Sequence, residues 1–588
     1  MTASEGIPVS NKSGSFLSLQ FYPPGVDATG LCMIKKAVSI LLLLSLCAGC
    51  QHESSSYRGI SDELIHANGD TVLEDSIMFH NLRVDQNGAI LPWYSKNLGT
   101  SYNHVLMLVW QFWNNMRTDT NGLKYYMNHQ VWKADQDDKR GIGGDQISMA
   151  LSSWNLLYRY TGDASVLKNM RYMADYYLSH SRSSPDCKWP NLPYPYNTDV
   201  GSGIYDGDMI LGPGYLQPDK AGSFGFELTK LYQVTEDPKY LQAAIKIANT
   251  LAHRIRPGDR DHSPWPFKVN ARTGKTGILV FQKVWHQDMD KDSSTWQNPQ
   301  NQESSYTTNW TATLCLFDQL ITLRQGETEI YQKAIDMTLD WLKKYPVRNN
   351  RWGPFFEDVP GWSDTQINAI TYALYILNHP SQDSSWKTTV HGIFEWVHHH
   401  LDNQAYRQYG VVPINEQTAY QIPGNSHSSR EAAVELMYWE KTGDTTYLKN
   451  DIRMLNWATY MVNERGQNQY PQNDIWMTDG YGDYVRHYLR AMAAAPQLAP
   501  DDQNHMLRSS AVVQRISYEN GKISYSLFGK TSKDVFRLTG KPKEIRVNNQ
   551  KLSETDDTAI PGWVWQPLKK GGILRINQSM GRVIEILE

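Results

Sequence analysis

Residues 223–255 read SFGFELTKLYQVTEDPKYLQAAIKIANTLAHRI, and this stretch decides the fold. Each half carries one apolar stripe at the helical spacing of three and four residues, and a tight turn separates the halves. The stripes consist of Phe224, Leu228, Leu231 and Tyr232, and then of Leu241, Ile245, Ala248, Ala252 and Ile255. The stretch therefore predicts a hairpin of two amphipathic helices. An acidic, Gly-rich loop over residues 201–222 leads into it.

The turn of this hairpin recurs along the chain. VTED at residues 234–237 corresponds to YTGD at 160–163 and to KTGD at 441–444, and an apolar-striped run follows each turn. In such a turn the Gly or its substitute ends one helix, and the Asp can cap the next. Repetition at intervals of tens of residues is typical of helical repeat architectures.

Similar stripes define five hairpins, one opening helix and one closing helix between residues 101 and 495. Twelve helices are the number required for a closed ring of six hairpins. The sequence therefore predicts a mainly α fold, an (α/α)6 toroid, over residues 101–495. Residues 51–100 carry weaker strand and loop signals, and we expect a tether and a segment packed against the ring.

The character of the chain changes after Pro496. Short alternating runs such as KISYSL at 522–527 and VIEIL at 583–587 are separated by turn residues, including Asn520-Gly521. This alternation predicts strands joined by tight turns. We expect a small C-terminal antiparallel β domain over residues 503–588.

The first fifty residues indicate export. Met33-Ile34-Lys35-Lys36 precedes an apolar run that is too short to span a membrane permanently, and Cys47-Ala48-Gly49-Cys50 follows. The pattern is typical of a bacterial lipoprotein signal with Cys50 as the lipidated residue, and the alternative is an ordinary secretory signal. Residues 1–32 show no such pattern, and we interpret them as an upstream misreading of the start. We expect an exported lipoprotein, periplasmic or anchored to the outer membrane, that contacts the membrane only through its lipid.

Composition excludes several classes of function. The chain of 588 residues has a net charge of −4 and 40% hydrophobic residues, so it is neither disordered nor provided with the basic face that nucleic acid requires. Beyond the signal, Cys187 and Cys315 are the remaining cysteines, too few for a disulfide scaffold. Neither HExxH nor a complete EF-hand loop is present, and we predict no metal and no cofactor.

Chemistry is expected where the inner helices begin, because loops at one end of such a ring surround a central funnel. The segments that precede these helices are rich in carboxylates, aromatic residues and basic groups, although helix capping accounts for some of the Asp and Ser residues. The substrate-binding candidates from these segments are Asp206, Trp285, His286, Glu303, Trp310, Trp362, Asp364, His427, Arg430, Trp476, Asp479 and Tyr481.

Paired carboxylates around an aromatic funnel favour cleavage of glycosidic bonds, in which one carboxyl group donates a proton and the other activates water or attacks the sugar. A second hypothesis is a lyase that cleaves uronic-acid glycans by β-elimination, with His427 or Tyr481 as the base and Arg430 on the substrate carboxylate. A third is a glycan-binding lipoprotein without catalysis, which the abundance of carboxylates argues against.

The toroid, the repeated turns and the acidic loops resemble the six-hairpin glycosidases, and among them the unsaturated glucuronyl hydrolases and related β-glucuronidases of gut Bacteroidetes. In that family one catalytic Asp precedes the second hairpin and another lies in the loop that enters the third. The resemblance implies that Asp145, in GIGGDQISMAL, and Asp208, in YDGDMILGPGYL, are the catalytic pair, with Asp206 as the alternative to Asp208. It also implies a substrate with a terminal glucuronate, saturated or 4,5-unsaturated, in an acidic oligosaccharide or polysaccharide.

Overall fold

Twelve long helices dominate the computed structural model, which describes residues 59–127, 144–199, 202–279, 302–355, 362–469 and 482–588. Among these residues, helices of at least 12 residues are α1 Leu98–Asn114, α2 Gly144–Thr161, α3 Ala164–His180, α4 Pro218–Thr235, α5 Pro238–Arg254, α6 Thr311–Thr322, α7 Thr328–Lys344, α8 Gln366–Asn378, α9 Trp386–Leu401, α10 Asn425–Thr442, α11 Leu448–Thr459 and α12 Asp483–Ala494. Short helical turns lie at Asp62–Ile65, Tyr125–Met127, Pro346–Asn349, Pro380–Gln382, Gln404–Tyr409 and Pro496–Leu498.

The even-numbered helices form a closed inner ring. Each contacts the next in the order α2, α4, α6, α8, α10 and α12, and α12 returns to α2. The helices α3, α5, α7, α9 and α11 each pack outside the inner helix that precedes them, and α1 contacts α12, α11 and α3. The predicted fold class, an (α/α)6 toroid, is therefore confirmed by the pairing of the helices.

One apolar core explains why the ring is stable. The large side chains that are completely buried include Trp110, Trp113, Trp154, Trp310 and Trp457, which come from both layers. Burial of one large apolar side chain contributes about 1.5–3 kcal/mol. The stripes of the sequence place these side chains between the two layers of helices.

The repeated turns share one backbone geometry. Gly162, Glu236 and Gly443 all adopt a left-handed conformation, with φ of 70°, 56° and 79°. The Asp that follows each one accepts a hydrogen bond from the backbone N–H two residues further on; these pairs are Asp163 with Ser165, Asp237 with Lys239 and Asp444 with Thr446. The left-handed residue ends the inner helix, and the carboxylate turns the chain toward the outer one.

The strands fall into a β-sandwich and several short hairpins. Before the sandwich lie β1 Thr71–Ile77, β2 His80–Val84, β3 Gly207–Asp208, β4 Gly212–Pro213, β5 Tyr215–Leu216, β6 Val269–Asn270, β7 Ile278–Leu279, β8 Gln302–Glu303, β9 Asn415–Gln417 and β10 Tyr420–Pro423. The sandwich contains β11 His505–Ser509, β12 Val513–Glu519, β13 Lys522–Leu527, β14 Ser532–Leu538, β15 Glu544–Val547, β16 Gln550–Leu552, β17 Gly562–Pro567, β18 Gly572–Gln578 and β19 Val583–Leu587. Its sheets have the strand orders β11-β14-β18-β17 and β12-β13-β19-β15-β16, with antiparallel neighbours.

The sandwich covers the end of the ring where the inner helices finish. His505 stacks on Tyr160 at 3.7 Å between ring centres, and its Nδ1 lies 2.8 Å from the Tyr160 carbonyl. Arg508 forms two hydrogen bonds with Glu440, at 2.6 and 2.7 Å, near the end of α10. The loops that precede the inner helices therefore lie at the opposite end, away from the sandwich.

The N-terminal segment packs against the ring through the hairpin of β1 and β2. The Arg83 backbone N–H donates to Tyr460 Oη at 2.8 Å, and the Ile90 N–H donates to the Tyr409 carbonyl at 2.9 Å. Residues 1–50, with the predicted signal and Cys50, lie outside the described residues. Within the described ranges, no helix is long and apolar enough to cross a membrane.

The left-handed turn gives a test of the repeat geometry. We expect Gly443→Ala to lower the free energy of unfolding by about 1 kcal/mol, because a Cβ is disfavoured at positive φ. Gly392→Ala is the matched control: Gly392 lies within α9 and a Cβ there meets no neighbouring atom. That variant should gain about 0.5–1 kcal/mol. Chemical denaturation of both variants measures the difference, and equal effects would contradict this account of the turn.

Candidate active site

The inner helices all begin at one end of the ring, and buried polar side chains connect their first turns. Asp219, in the first turn of α4, accepts hydrogen bonds at Oδ2 from Lys220 Nζ (2.9 Å) and from Asn309 Nδ2 (2.8 Å), just before α6. Lys220 Nζ also donates to the Phe355 carbonyl at 3.1 Å and lies 3.3 Å from the centre of the Phe355 ring. These contacts join the starts of α4 and α6 to the segment before α8.

The connection continues around the ring. Arg430 Nη1 of α10 donates to Gln366 Oε1 of α8 at 2.8 Å, and Arg430 Nη2 forms an ion pair with Asp483 of α12. Ser153 Oγ of α2 donates to the Gly482 carbonyl. We call Asp219, Lys220, Asn309, Gln366, Arg430 and Asp483 the polar belt. All six are buried, and their mutual contacts compensate for the loss of water.

The charges of the belt set the protonation of the groups beside it. Burial alone would raise the pKa of Asp483, but Arg430, Arg486 and His487 hold that pKa well below its usual range. Burial lowers the pKa of His487 to about 3, against the opposing effect of Asp483. Burial and the nearby Arg430 also hold the pKa of His427 well below its usual value. Both imidazoles are therefore neutral near pH 7.

His427 and Arg430 lie inside the protein. His427 is 1% exposed and Arg430 is 3% exposed, and the guanidinium is already engaged with Gln366 and Asp483. A base for β-elimination must reach its substrate within hydrogen-bond distance. The burial of His427 therefore does not favour the lyase hypothesis through that residue.

Asp208 belongs to a buried ion pair. It lies on β3 and is completely buried, as is Lys268, whose Nζ is 2.9 Å from Asp208 Oδ2. Gln217 Nε2 donates to Oδ2 at 2.7 Å, and the backbone N–H groups of Ile210 and Leu211 donate to Oδ1. Burial alone would raise the pKa of Asp208, but Lys268 and the hydrogen bonds lower it. This environment suits a permanently charged carboxylate and does not favour a proton donor.

Asp206, the alternative to Asp208, is half-buried and holds its own loop. Its Oδ1 accepts hydrogen bonds from the backbone N–H of Thr198 and from Thr198 Oγ1, both at 2.9 Å. These hydrogen bonds stabilise the conformation of the loop and indicate a structural role for Asp206.

Asp364 has a different environment, beside Trp362 and Arg351 in front of α8. Its Oδ1 accepts from the Gly353 N–H at 2.8 Å, and its Oδ2 accepts from Trp362 Nε1 at 3.0 Å. Burial outweighs these hydrogen bonds and raises the pKa of Asp364. The carboxyl is half-buried, so Asp364 has the property expected of a general acid.

Aromatic and cationic groups surround this carboxyl. The Arg351 guanidinium carbon lies 4.0 Å from the centre of the Trp362 ring and 5.0 Å from that of Tyr306. Gly353 allows the Tyr306 ring to lie against the backbone, because a Cβ at position 353 would be only 2.8 Å from Tyr306. Its φ of 70° also favours glycine. We call Tyr306, Arg351, Trp362 and Asp364 the rim group. An apolar face beside a cation and a carboxyl is an arrangement that suits an acidic sugar.

The other predicted residues are dispersed. Trp310 is completely buried, donates from Nε1 to the Thr307 carbonyl and packs on Trp265, so it has no exposed face for a sugar. Glu303 is exposed on β8, which pairs with β7. Residues Trp285, His286, Trp476, Asp479 and Tyr481 lie outside the described ranges, as does the side chain of Asp145 within α2.

A cavity of about 360 Å³ occupies the interior of the ring, between the inner helices. Its cationic lining consists of Lys230, Arg430, Arg486 and Arg490, and its acidic lining of Glu227 and Asp318. Burial and the neighbouring Arg486 lower the pKa of Arg490 to about 9. The lining carries more positive than negative groups, although Arg430 and Arg486 pair with Asp483 and Lys230 pairs with Glu227.

Several site residues escaped sequence reasoning. Lys220, Gln366 and Arg351 carry no motif. The acidic and Gly-containing loop before α8 pointed to Trp362 and Asp364 but not to Arg351. A charged residue within the first turn of an inner helix was the available signal, and Asp219-Lys220 shows it. The contacts of Lys220 with Phe355, 135 positions away, could not be inferred from spacing.

Similarity to known proteins is found among solved structures. No model of a known protein family matches the sequence, and no curated protein matches it. Among solved structures, similar ones include a cellobiose 2-epimerase from Spirochaeta thermophila, with 11% identity, a TM-score of 0.49, and coverage of 69% of this chain and 100% of that one.

Two further structures are a family 76 glycoside hydrolase from Bacteroides thetaiotaomicron and an unsaturated glucuronyl hydrolase specific for heparin. The first has 11% identity, a TM-score of 0.42 and coverage of 70% of this chain and 83% of that one. The second has 8% identity, a TM-score of 0.39 and coverage of 68% and 99%. These identities and TM-scores are too low to indicate the chemistry of this chain, and the evidence for its fold is the pairing of its own helices.

The ion pair of Asp208 and Lys268 predicts a loss of stability and no change of chemistry. Asp208→Asn removes a charged partner of the buried Lys268 ammonium, and we expect the free energy of unfolding to fall by about 3–5 kcal/mol. Asp237→Asn is the control, because Asn caps a helix about as well as Asp. Thermal unfolding of both variants checks the difference.

The same pair has a defined pH dependence. The pKa of Asp208 is lower in the folded chain than its ordinary value of 3.8, so its contribution is complete above that value. The contribution is lost as the pH falls through the folded pKa. The stability difference between wild type and Asp208→Asn should therefore shrink on acidification, and a constant difference would contradict the assignment.

Proposed function

We propose that this chain is an exported glycoside hydrolase that removes a terminal uronic acid from acidic oligosaccharides. The observation that carries the proposal is the rim group, in which a carboxyl with a raised pKa lies beside an aromatic ring and a guanidinium. The rim group lies at the end of the ring where the inner helices begin, as the sequence predicted for a substrate funnel.

Asp364 is the proposed general acid. A raised pKa enlarges the protonated fraction of the carboxyl at a given pH, and the proton passes to the glycosidic oxygen as its bond to the anomeric carbon breaks. The hydrogen bond from Trp362 Nε1 to Oδ2 fixes the orientation of the carboxyl. After the proton has left, the same N–H and the Gly353 N–H stabilise the carboxylate.

Asp145 is the proposed second carboxylate, as the resemblance to the six-hairpin glycosidases implies. It takes a proton from water, and the water oxygen bonds to the anomeric carbon, so that a uronic acid and a shortened oligosaccharide result. Asp145 lies in the first turn of α2, at the same end of the ring as the first turn of α8. Asp208, which the resemblance also implicates, acts in this proposal by holding its loop through Lys268.

Arg351 and Trp362 are the proposed determinants of specificity. A guanidinium matches a carboxylate in shape and charge, and Trp362 offers an apolar surface to the face of a sugar ring. Arg351 is half-buried, with 28% of its side chain exposed, and its Nη1 donates to Asp261 Oδ1 at 2.5 Å. One ion pair holds the side chain in place and leaves other N–H groups for a ligand.

The substrate class is tested by incubation of the mature chain with oligosaccharides that end in glucuronate or in 4,5-unsaturated uronate. Release of glucuronate without a change in ultraviolet absorbance supports hydrolysis of a saturated end. Loss of absorbance with release of a monosaccharide supports protonation of an unsaturated end, followed by addition of water. A rise in absorbance would mean β-elimination and would overturn the hydrolase proposal.

Asp364→Asn tests the general acid. We expect turnover of oligosaccharides to fall by about 10²–10⁴-fold, because Asn cannot donate the proton. In the wild type, turnover should decline as the pH rises through the pKa of Asp364 in the substrate complex. Asp383→Asn is the matched control: Asp383 lies in the turn before α9, where its Oδ1 accepts from the Ser385 N–H at 2.8 Å, and this variant should leave turnover unchanged. Equal turnover in Asp364→Asn and wild type would contradict the assignment.

Arg351→Met tests recognition of the carboxylate. Loss of a charged hydrogen-bond donor costs about 1.5–3 kcal/mol. We therefore expect KM for a uronate-terminated substrate to rise by about 10–100-fold, with little change for the neutral glucoside. Steady-state kinetics on the paired substrates make the comparison, and an equal loss on both would show that Arg351 serves stability instead.

A further inference from the structure

A second cluster of buried acids lies between α9, α10 and α11, beyond the polar belt. His398 of α9, Glu431 and Glu435 of α10 each place one ligand-type atom within 4.8 Å of the others. Asp451 of α11 lies beside Glu435, and it is 1% exposed. Glu431 and Glu435 are 0% and 2% exposed, so three carboxyl groups share one dry space.

The oxygens of this cluster lack the partners that buried carboxylates need. Among the described residues, Glu431 Oε1 and Glu435 Oε2 have no hydrogen-bond donor, and the Asp451 carboxyl has the Glu435 carboxyl as its hydrogen-bonding neighbour. Buried polar atoms are almost always hydrogen-bonded, so unpartnered carboxylate oxygens in this cluster indicate something that the protein atoms do not provide. Within the same ranges, His398 is the one basic side chain in an ion pair with these three carboxyl groups.

The imidazole of His398 is arranged as metal-binding imidazoles usually are. Its Nδ1 lies 2.8 Å from Asp402 Oδ1, which fixes the ring and directs Nε2 toward the carboxylates. Its Nε2 lies 2.9 Å from Glu435 Oε1. Tyr447 stacks on the ring with 4.6 Å between centres and holds its plane. A carboxylate on the outer nitrogen and ligands around the inner one form the second shell typical of metal-bound histidines.

We propose that His398, Glu431 and Glu435 bind a divalent transition-metal ion, such as Zn²⁺ or Mn²⁺, between α9 and α10, with Asp451 of α11 beside Glu435. One imidazole nitrogen and carboxylate oxygens form a mixed ligand set that suits these ions, whereas Ca²⁺ and Mg²⁺ prefer oxygen ligands alone. The ion would neutralise part of the buried charge. It would also tie two neighbouring hairpins of the ring together, since α9 belongs to one and α10 with α11 to the next.

The position of the site suggests a structural ion. Gln366 Nε2 donates to Glu431 Oε2 at 2.6 Å, and Gln366 Oε1 accepts from Arg430 of the polar belt. The metal cluster therefore supports the polar belt through one glutamine. The proposal does not depend on the reaction that the enzyme catalyses.

The experiment measures the metal content of the full chain, purified without metal-affinity chromatography, by inductively coupled plasma mass spectrometry. We expect about one Zn²⁺ or Mn²⁺ per chain, as structural sites bind a single ion. A chelator should remove it and lower Tm, and Zn²⁺ or Mn²⁺ should restore Tm where Ca²⁺ and Mg²⁺ do not. A chain that is free of metal and has a Tm unaffected by any of these ions would overturn the proposal.

Variants separate this site from others on the surface. Glu431→Gln and Glu435→Gln should each lose the ion, whereas Glu440→Gln, on the same helix but paired with Arg508, should retain it. His399→Ala with His400→Ala removes two exposed imidazoles next to His398 and should also retain it. Loss of the ion in this histidine variant would place binding on the surface and overturn the assignment.

Asp402→Asn keeps the test valid if a buried variant does not fold. Asp402 is partly exposed, with 25% of its side chain accessible, and it contacts His398 alone among the proposed ligands. We expect its affinity for the ion to fall by about 10–100-fold, as is usual when the partner of a metal-bound histidine is removed. Unchanged affinity in a folded Asp402→Asn chain would contradict the role of His398 as a ligand.

Discussion

The structure depends on how six helix N-termini are brought together at one end of a ring. Each terminus presents unpaired N–H groups and the positive end of a helix dipole, so carboxylates are favoured in the first turns. Asp219 and Asp483 occupy such positions in α4 and α12. Once buried, these acids require partners, and the polar belt supplies them across three helix boundaries, α4 to α6, α8 to α10 and α10 to α12.

This constraint separates two kinds of acid at the same end of the fold. Asp208 and Asp483 are completely enclosed and paired with cations, and their low pKa values keep them charged. Asp364 is partly accessible, its hydrogen-bond donors within the described ranges are the neutral Gly353 N–H and Trp362 Nε1, and its pKa is raised. The first kind holds the scaffold, and the second can exchange a proton. Proximity to a funnel does not distinguish them, whereas burial and partners do.

The sequence predicted the architecture well because helical stripes and turns are local patterns. The spacing of Phe224 and Leu228 alone predicts their helix, and the Thr-Gly-Asp sequences predict the turns between the two helices of a hairpin. The candidate site was harder to predict from the sequence, because its contacts join residues that are far apart in the chain. Asp208 and Lys268 pair across 60 positions of sequence. The position of Trp310 before α6 predicts a funnel residue, but the structure buries it against Trp265. The cluster of His398, Glu431 and Glu435 matches no sequence motif, because two different helices supply its members.

The central claim is that Asp364 protonates the leaving group, and a change of leaving group tests it most directly. A nitrophenyl glucuronide has a leaving group that needs no proton, whereas an oligosaccharide needs one. If the account is right, Asp364→Asn loses most of its activity on the uronate-terminated oligosaccharide and retains most of it on the nitrophenyl glucuronide. An equal loss on both substrates, with the variant folded, would contradict the account.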